Sequence, residues 1–185
     1  MAILKIAHMG HPILKTQAEP VEDPTAPEIA QLVEDMIETM HDASGTGLAA
    51  PQVHVPLRLV IFKVYPERAK AEDGDEQGGV PLTVLINPEI EAVSAETAPG
   101  WEGCLSIPGM MGEVGRFTHI RYSAYDLEGQ RFEREAKGFH ARVVQHECDH
   151  LDGILYPYRI EDMDRFGFTE ELTRQAPDGG AESEN

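Results

Sequence analysis

The sequence predicts a fold that combines α-helices with antiparallel β-strands, and three observations support this prediction. Apolar residues recur at helical intervals over residues 29–40. Two strand-like segments, residues 116–125 and 131–137, are joined by a tight turn that contains Gly129, as in an antiparallel pair. A second helix, over residues 139–151, is apolar at its start and rich in histidine and acidic residues at its end.

The first predicted helix carries a single apolar stripe. Its members are spaced three and four residues apart, as on one face of a helix that packs against a core, and they are Ile29, Leu32, Val33, Met36, Ile37 and Met40. Gly45 stands where a helix end is expected. We therefore interpret Met36 and Met40 as core residues rather than as ligands.

Shorter segments between the two helices are predicted as strands and loops. Residues 57–64 form a nearly continuous apolar run, which is typical of a buried strand. Residues 81–87 and 89–93 are predicted as two strands that Pro88 separates. Residues 65–79 are polar, acidic and rich in glycine, so we expect a solvated, mobile loop there.

Composition restricts the partners that the chain can bind. The 185 residues suffice for one domain with a substantial core, and the formal net charge is -18. Such a charge repels phosphate backbones and anionic membranes, so we expect no specific nucleic acid and no membrane as partner. We see no apolar run of signal-peptide or membrane-spanning length. With only two cysteines, a reducing cytoplasm fits better than a disulfide framework.

The most informative stretch is residues 145–151, with the sequence QHECDHL. On a helix, His146 and His150 project from the same face, one turn apart, and can bind one metal ion. Glu147 lies between them, where its carboxylate can reach a water molecule at the metal without being a ligand. The pattern also arises by chance on charged helices, so a third ligand is needed to make a metal site.

The two cysteines are the candidates for that third ligand. Cys148 lies roughly 200° around the helix from each histidine and so points away from them. Cys104 remains, within residues 100–108 (GWEGCLSIP), where the adjacent glycine lets backbone approach closely. A buried structural cysteine is the simpler interpretation of an isolated thiol, but the missing ligand favours Cys104. A small-residue loop, residues 44–52, ends in Gln52, whose amide can donate a hydrogen bond without titrating.

Two other functions are compatible with these motifs. Peptidases with the His-Glu-x-x-His pattern usually recruit a downstream histidine or glutamate, and no histidine follows His150. A structural metal module would use Cys148 as a fourth ligand and leave no position for water. In that module Glu147 and Gln52 would have no role.

Three motifs occur in order along the chain, and together they resemble the peptide deformylase family. They are residues 45–52 (GTGLAAPQ), 102–106 (EGCLS) and 145–151 (QHECDHL). The opening residues 10–14 (GHPIL) and 18–21 (AEPV) also resemble the start of that family. The resemblance covers most of the chain, except for residues 65–79 and the last dozen residues.

This resemblance implies an α+β fold in which antiparallel strands surround a central metal-binding helix. It implies a single catalytic domain over residues 1–170, followed by a polar acidic tail, residues 171–185, which we expect to be disordered. It also implies one divalent metal ion held by Cys104, His146 and His150, with Fe²⁺ expected and Zn²⁺, Ni²⁺ or Co²⁺ as possible substitutes. Ligand chemistry alone would have indicated Zn²⁺.

The implied reaction removes the N-formyl group from the initiator methionine of new polypeptides and releases formate. Three protein ligands leave one position on a four-coordinate ion for water, which such an ion makes more acidic. Glu147 would take the water's proton and pass it to the departing amine. The family assigns stabilisation of the developing oxyanion to the side-chain amide of Gln52 and the backbone N–H of Leu105.

The family also implies the substrate contacts and the partners. Thr46, Gly47 and Gly103 would bind the extended peptide, and the methionine side chain would lie against Phe139 and Val143. N-formylmethionyl peptides or nascent chains are the expected partners, and the acidic tail allows at most a transient ribosome contact. The expected location is the bacterial cytoplasm, with an organelle as the alternative.

This chain departs from the family at two positions after the Cys104 motif. Related sequences often have a basic residue where it has Met111, and a proline where it has Gly115. A contact to the peptide beyond methionine is therefore expected to be weaker than in relatives.

Overall fold

The structure is a computed structural model that describes residues 2–73 and 79–174. Its helices are Pro27–Asp42 (α1), Pro66–Asp73 (α2), Gly138–Leu151 (α3) and Thr169–Arg174 (α4). Its strands are Gly47–Ala49 (β1), Leu59–Val64 (β2), Val80–Ala92 (β3), Thr97–Cys104 (β4), Ile107–Phe117 (β5), His119–Tyr125 (β6), Arg131–Lys137 (β7) and Phe166–Phe168 (β8). All strand pairs are antiparallel, so the predicted α+β class is confirmed.

Two sheets form the framework. The larger has the strand order β1-β2-β3-β6-β7, and the smaller has the order β4-β5-β8. Strand β2 lies inside this sheet, between β1 and β3, and is buried on both faces, which explains its continuous apolar run. Leu59 and Ile61 pack in the core cluster that contains the apolar stripe of α1. Val60 and Phe62, on the opposite face, pack in the cluster that contains α3.

Helix α3 lies at the centre of the molecule. Its apolar face, which includes Val144 and Leu151, packs on the larger sheet. Its opposite face presents Arg142, His146 and Asp149, which form polar contacts with strands β4 and β5 of the smaller sheet. Since strands lie on both sides of α3, the metal-binding motif is held by the core rather than displayed on the surface.

One long strand replaces the two that were predicted around Pro88. Strand β3 continues through this residue, and its pairing register with β6 shifts between Ile86 and Glu89. Asn87 there has a positive φ of 52°. Its amide group also bonds the backbone N–H and C=O of Val21 at 2.8 and 2.9 Å. The prediction of two strands was wrong because a bulge accommodates the proline without ending the strand.

The predicted strand over residues 116–125 is in fact split between the two sheets. Strand β5 ends at Phe117 and β6 begins at His119, so the chain crosses from the smaller sheet to the larger one at Thr118. The hairpin of β4 and β5, on which Cys104 depends, was not predicted at all. Pro99 and the glycines at 100, 103, 109 and 112 interrupt the alternating pattern that would have indicated these strands.

The loop predicted over residues 65–79 contains helix α2, so that prediction was wrong for its first half. Ala69 anchors the helix, because it is 1% exposed and packs in the cluster that contains Phe139. The sequence of this helix, PERAKAED, shows no apolar helical period. Residues 74–78 of the predicted loop lie outside the described residues.

The predicted tail begins with a short helix rather than with disorder. Residues 171–174 belong to α4, where Arg174 pairs with Glu171 at 2.9 Å. The remainder of the predicted tail, residues 175–185, lies outside the described residues. None of the described helices combines the length and the apolar character needed to cross a bilayer.

We predict that Met36→Ala lowers the free energy of unfolding by about 2–5 kcal/mol, because Met36 is 0% exposed and its removal leaves a cavity between α1 and the larger sheet. Urea titration followed by circular dichroism measures this change. Glu34→Ala, on the exposed face of the same helix, is the control and should shift stability by less than about 0.5 kcal/mol. If Met36→Ala lost as little stability as Glu34→Ala, the apolar stripe of α1 would not be tightly packed.

Candidate metal centre

Cys104, His146 and His150 converge at the centre of the molecule. Each offers one donor atom, and these atoms lie within 4.8 Å of one another. Cys104 Sγ is 3.3 Å from His150 Nε2, and the two imidazole rings have their centroids 5.2 Å apart. The pairing of β4 and β5 shifts register between Gly103 and Cys104, a local irregularity of the kind that redirects side chains at functional sites.

Cys148 lies on the opposite side of α3, as the helical spacing predicts. It packs against the larger sheet in the cluster that contains Val60 and Tyr122. Burial raises the pKa of its thiol above the ordinary value, so it stays neutral. A fourth ligand from Cys148 is therefore incompatible with this geometry.

The electrostatics of the three donors suit a cation. Burial by itself raises the pKa of the Cys104 thiol, but the charge on His150 and hydrogen bonds from both imidazoles lower it well below its ordinary range. Nδ1 of His150 is buried and has no hydrogen-bond partner among the described residues. A thiolate and two imidazoles are donors that soft or intermediate divalent ions prefer. The donor set therefore fits one such ion.

Glu102 orients the imidazole ring of His146 through a hydrogen bond to its Nδ1 atom. Its Oε2 accepts a hydrogen bond of 2.8 Å from His146 Nδ1, which leaves Nε2 on the side of Cys104. The carboxylate is buried, and it also accepts bonds from Arg116 at 2.8 and 2.9 Å and from Arg142 at 3.0 Å. Burial alone would raise the pKa of Glu102, but the bonds from Arg116 and His146 lower it below the ordinary value.

The polar network continues beyond Glu102 and ties three parts of the fold together. Arg116 donates to Asp149 on α3 at 2.6 Å, and Asp149 accepts two further bonds of 2.6 Å from Arg159. The sequence analysis gave these residues no role. A signal was nonetheless present, because Arg142, His146 and Asp149 follow one another at four and three residues and so share a face of a buried helix.

Gln52 is held rigidly near the thiol. Its Oε1 accepts a hydrogen bond of 2.8 Å from the backbone of Ala49, which fixes the orientation of the amide. Its Nε2 donates to Ser106 Oγ at 3.1 Å and lies 3.5 Å from Cys104 Sγ. The N-terminal segment supports the loop, since Ala7 N–H bonds the Gln52 carbonyl at 2.7 Å. One amide hydrogen therefore points to the side of the metal ligands.

Glu147 lies against the glycine-rich loop. A Cβ atom at Gly47 would overlap its carboxylate, so only glycine permits this approach. Oε2 of Glu147 is buried and has no hydrogen-bond partner among the described residues. Burial raises the pKa of Glu147 to about 7, against the lowering effect of positive charge on the two histidines. The carboxyl group is thus available to exchange a proton with a ligand.

A cavity of about 470 Å³ opens beside these residues. All five residues predicted to bind substrate line it, as do Gln52, Leu105 and Glu147; the five are Thr46, Gly47, Gly103, Phe139 and Val143. Gly45 is needed for close approach rather than for a positive φ, because a Cβ there would come within 2.9 Å of Leu105 Cδ1. The cavity thus brings the five predicted substrate-binding residues beside Gln52, Cys104, His146 and Glu147.

Comparison with known proteins identifies the family. The family model of polypeptide deformylases matches residues 3–166. The chain belongs to the peptide deformylase family. Members of this family are metal-dependent hydrolases that remove the N-formyl group from nascent polypeptides.

Individual peptide deformylases resemble the chain over almost its whole length. One from Bordetella bronchiseptica is 57% identical over 171 residues, which are 92% of this chain and 93% of that protein. One from Ralstonia nicotianae is 51% identical and covers 95% and 97% of the two chains.

Solved structures of peptide deformylases have the same fold. The enzyme from Ehrlichia chaffeensis superposes with a TM-score of 0.79 at 36% identity, over 89% of this chain and 91% of that one. A class I type b enzyme from Acinetobacter baumannii, in a structure with Met-Ala-Ser bound, gives a TM-score of 0.77 at 37% identity, over 86% and 99%.

We predict that the two cysteines differ in their effect on metal binding. Cys148→Ser should retain a stoichiometric metal ion, whereas Cys104→Ser should lose most of it, because Cys104 alone lies beside the two histidines. Metal content of the anaerobically purified proteins, measured by mass spectrometry, tests this. Loss of metal from Cys148→Ser with retention by Cys104→Ser would contradict the geometry.

We further predict that Glu102→Gln weakens metal binding by about 10- to 100-fold, the usual cost of removing a group that orients a ligand. The substitution removes the negative charge that His146, Arg116 and Arg142 share. Competition with a chromophoric chelator measures the affinity. Glu113→Gln is the matched control, since Glu113 pairs with Arg165 at 2.7 Å near the surface. Equal metal affinities in Glu102→Gln and Glu113→Gln would show that Glu102 does not support the metal ligands.

Proposed function

We propose that Cys104, His146 and His150 hold one divalent ion. We propose further that Glu147 is the general base in the hydrolysis of the N-formyl group of new polypeptides. One observation carries this proposal: the buried Glu147 side chain lines the same cavity as Cys104 and His146, and the donor atoms of these two ligands lie within 4.8 Å of that of His150. A structural site would need no titratable carboxyl group at that position.

The metal is proposed to be Fe²⁺ in the cell, with Zn²⁺, Ni²⁺ or Co²⁺ able to replace it. When bound, a divalent ion supplies Lewis-acid chemistry, which polarises a carbonyl group and makes water more acidic. The choice of iron rests on resemblance to the family, whereas the Cys-His-His donor set supports any of these ions.

Glu147 is proposed to move the proton during the reaction. Its carboxylate accepts a proton from the water that attacks the formyl carbon. It then donates that proton to the departing amine nitrogen, so that formate and a free amino terminus result. The close approach of its side chain to Gly47 keeps the carboxyl group at the cavity. General acid–base catalysis of this kind typically raises the rate by about 10²- to 10⁴-fold.

Gln52 and Leu105 are proposed to stabilise the oxygen that becomes negative as the formyl carbon is attacked. The Gln52 amide is already oriented by Ala49 and Ser106, so it needs no rearrangement to donate. The backbone N–H of Leu105 would be the second donor, at the hairpin between β4 and β5. Removing one such donor typically costs about 10²- to 10³-fold in rate.

The peptide is proposed to bind as an additional strand beside β4. This strand stands at the end of the smaller sheet, so one of its edges borders no other strand of the described chain. Gly103 would pair with the peptide on one side, and Thr46 and Gly47 on the other. Phe139 and Val143 would contact the methionine side chain. The structure of the Acinetobacter baumannii enzyme with Met-Ala-Ser bound supports a peptide that begins with methionine as the ligand.

Selectivity for the formyl group is proposed to be steric. The formyl carbon carries only a hydrogen atom, so a narrow site beside the three metal ligands excludes larger acyl groups. The same narrow site would distinguish this reaction from hydrolysis of an ordinary peptide bond.

We also propose where the enzyme acts. Its substrates would be N-formylmethionyl nascent chains in the bacterial cytoplasm, or in an organelle derived from bacteria. With a net charge of -18, contact with the ribosome would be transient rather than stable.

The test is formate release from formyl-Met-Ala under anaerobic conditions. We expect turnover by the unmodified enzyme and a loss of about 10²- to 10⁴-fold in Glu147→Gln, with its metal content retained, because the amide cannot accept the proton. Glu34→Gln, on the exposed face of α1, is the control and should not change the rate. Undiminished turnover in Glu147→Gln would remove Glu147 from the mechanism.

A further inference from the structure

The outer part of the cavity contains a charged side chain that the mechanism does not use. Arg68, on α2, lines the cavity together with Trp101 and Phe139. It also lines the adjoining depression of about 350 Å³, where Met111 and Thr169 complete the wall. Arg68 therefore lies where the cavity opens to solvent, on the path by which an extended chain would leave.

Packing holds Arg68 at this place. The next residue, Ala69, is 1% exposed and lies in the core cluster with Phe139 and Val143, so the start of α2 is attached to the metal-binding helix. The guanidinium carbon of Arg68 lies 5.5 Å from the centroid of the Phe139 ring, within the range of a cation–π contact. The guanidinium group thus rests on the Phe139 ring, at the wall of the cavity.

Arg68 differs in its described contacts from the other arginine at the cavity. Arg142 is buried and donates to Glu102 at 3.0 Å and to the Val114 carbonyl at 2.7 Å. Among the described side chains, Arg68 contacts the aromatic ring of Phe139 rather than a carboxylate. A cationic group at the mouth is notable in a chain with a net charge of -18, which otherwise repels acidic peptides.

We propose that Arg68 determines specificity, and that it favours substrates with an acidic side chain at the first or second residue after formylmethionine. This inference rests on the proposed function, because it assumes that the peptide runs outward along β4. Trp101 and Gly103 of that strand line the cavity beside Arg68, so a peptide paired with β4 passes the guanidinium group. A guanidinium group binds a carboxylate with paired hydrogen bonds, which gives the contact its chemical preference.

The experiment compares peptides that differ only in charge. Formyl-Met-Glu-Ala-amide is compared with formyl-Met-Gln-Ala-amide, and formyl-Met-Ala-Glu-amide with formyl-Met-Ala-Gln-amide. Glutamine is the uncharged control because it matches glutamate in shape. For at least one pair we expect kcat/KM to be about 1.5- to fivefold higher with glutamate at low salt, the range of an exposed ion pair. The preference should shrink at high salt because the charges are screened.

Variants assign the preference to one side chain. In Arg68→Gln the glutamate-to-glutamine ratio should fall to about one, whereas Arg68→Lys, which keeps the charge, should retain part of the preference. Arg131→Gln is the matched control: it removes one exposed positive charge that pairs with Glu89 on the larger sheet, and it should leave the ratio unchanged.

Three results would overturn the inference. They are equal rates with glutamate and glutamine in the unmodified enzyme, an unchanged ratio in Arg68→Gln, and a carboxylate preference that is absent from the amides and appears only when the same peptides are made as free acids. The last result would mean that Arg68 recognises the terminal carboxylate of short peptides rather than a side chain. If no peptide of the series were deformylated at all, the proposed function itself would fail, so the two failures are distinguishable.

Discussion

The buried carboxylate of Glu102 is the group on which the candidate site depends. It joins an arginine of β5, an arginine of α3 and the imidazole of His146 through bonds of 2.8 to 3.0 Å. Isolated buried charges are costly, and this cluster is tolerable because each member has a charged partner and further hydrogen bonds. The consequence is geometric: the smaller sheet, which carries Cys104, and the helix, which carries both histidines, have a fixed mutual position.

Close backbone approach is the second constraint on the site. Gly47 admits the Glu147 carboxyl group, and Gly45 admits Leu105, so the loop after α1 lies directly over the metal-binding helix. The same loop carries Gln52, whose amide is bonded to Ala49 and Ser106. Polar groups that are oriented before a substrate arrives need no reorganisation during reaction. The fold thus holds both the Glu147 carboxyl group and the Gln52 amide in place before a ligand binds.

The sequence pattern predicted secondary structure correctly where it depends on neighbouring residues, and incorrectly where it depends on contacts between distant segments. The stripe of α1 and the spacing of His146 and His150 were predicted correctly, because helical periodicity depends on the segment itself. The β4–β5 hairpin was missed, and the strand across Thr118 was misassigned, because those strands are stabilised by pairing between distant residues. Helix α2 was missed because its sequence has no apolar period, although Ala69 packs in the core.

The sequence by itself determined the α+β class, the two histidines on one helical face, the exclusion of Cys148 and, through three ordered motifs, the family. Only the tertiary structure decided that Cys104 lies 3.3 Å from His150, that Glu102, Arg116 and Asp149 form one buried network, and that Arg68 lies at the mouth of the cavity. The physical reason is that helical spacing is a property of neighbouring residues, whereas a metal centre and its supporting charges are assembled from separate strands and helices.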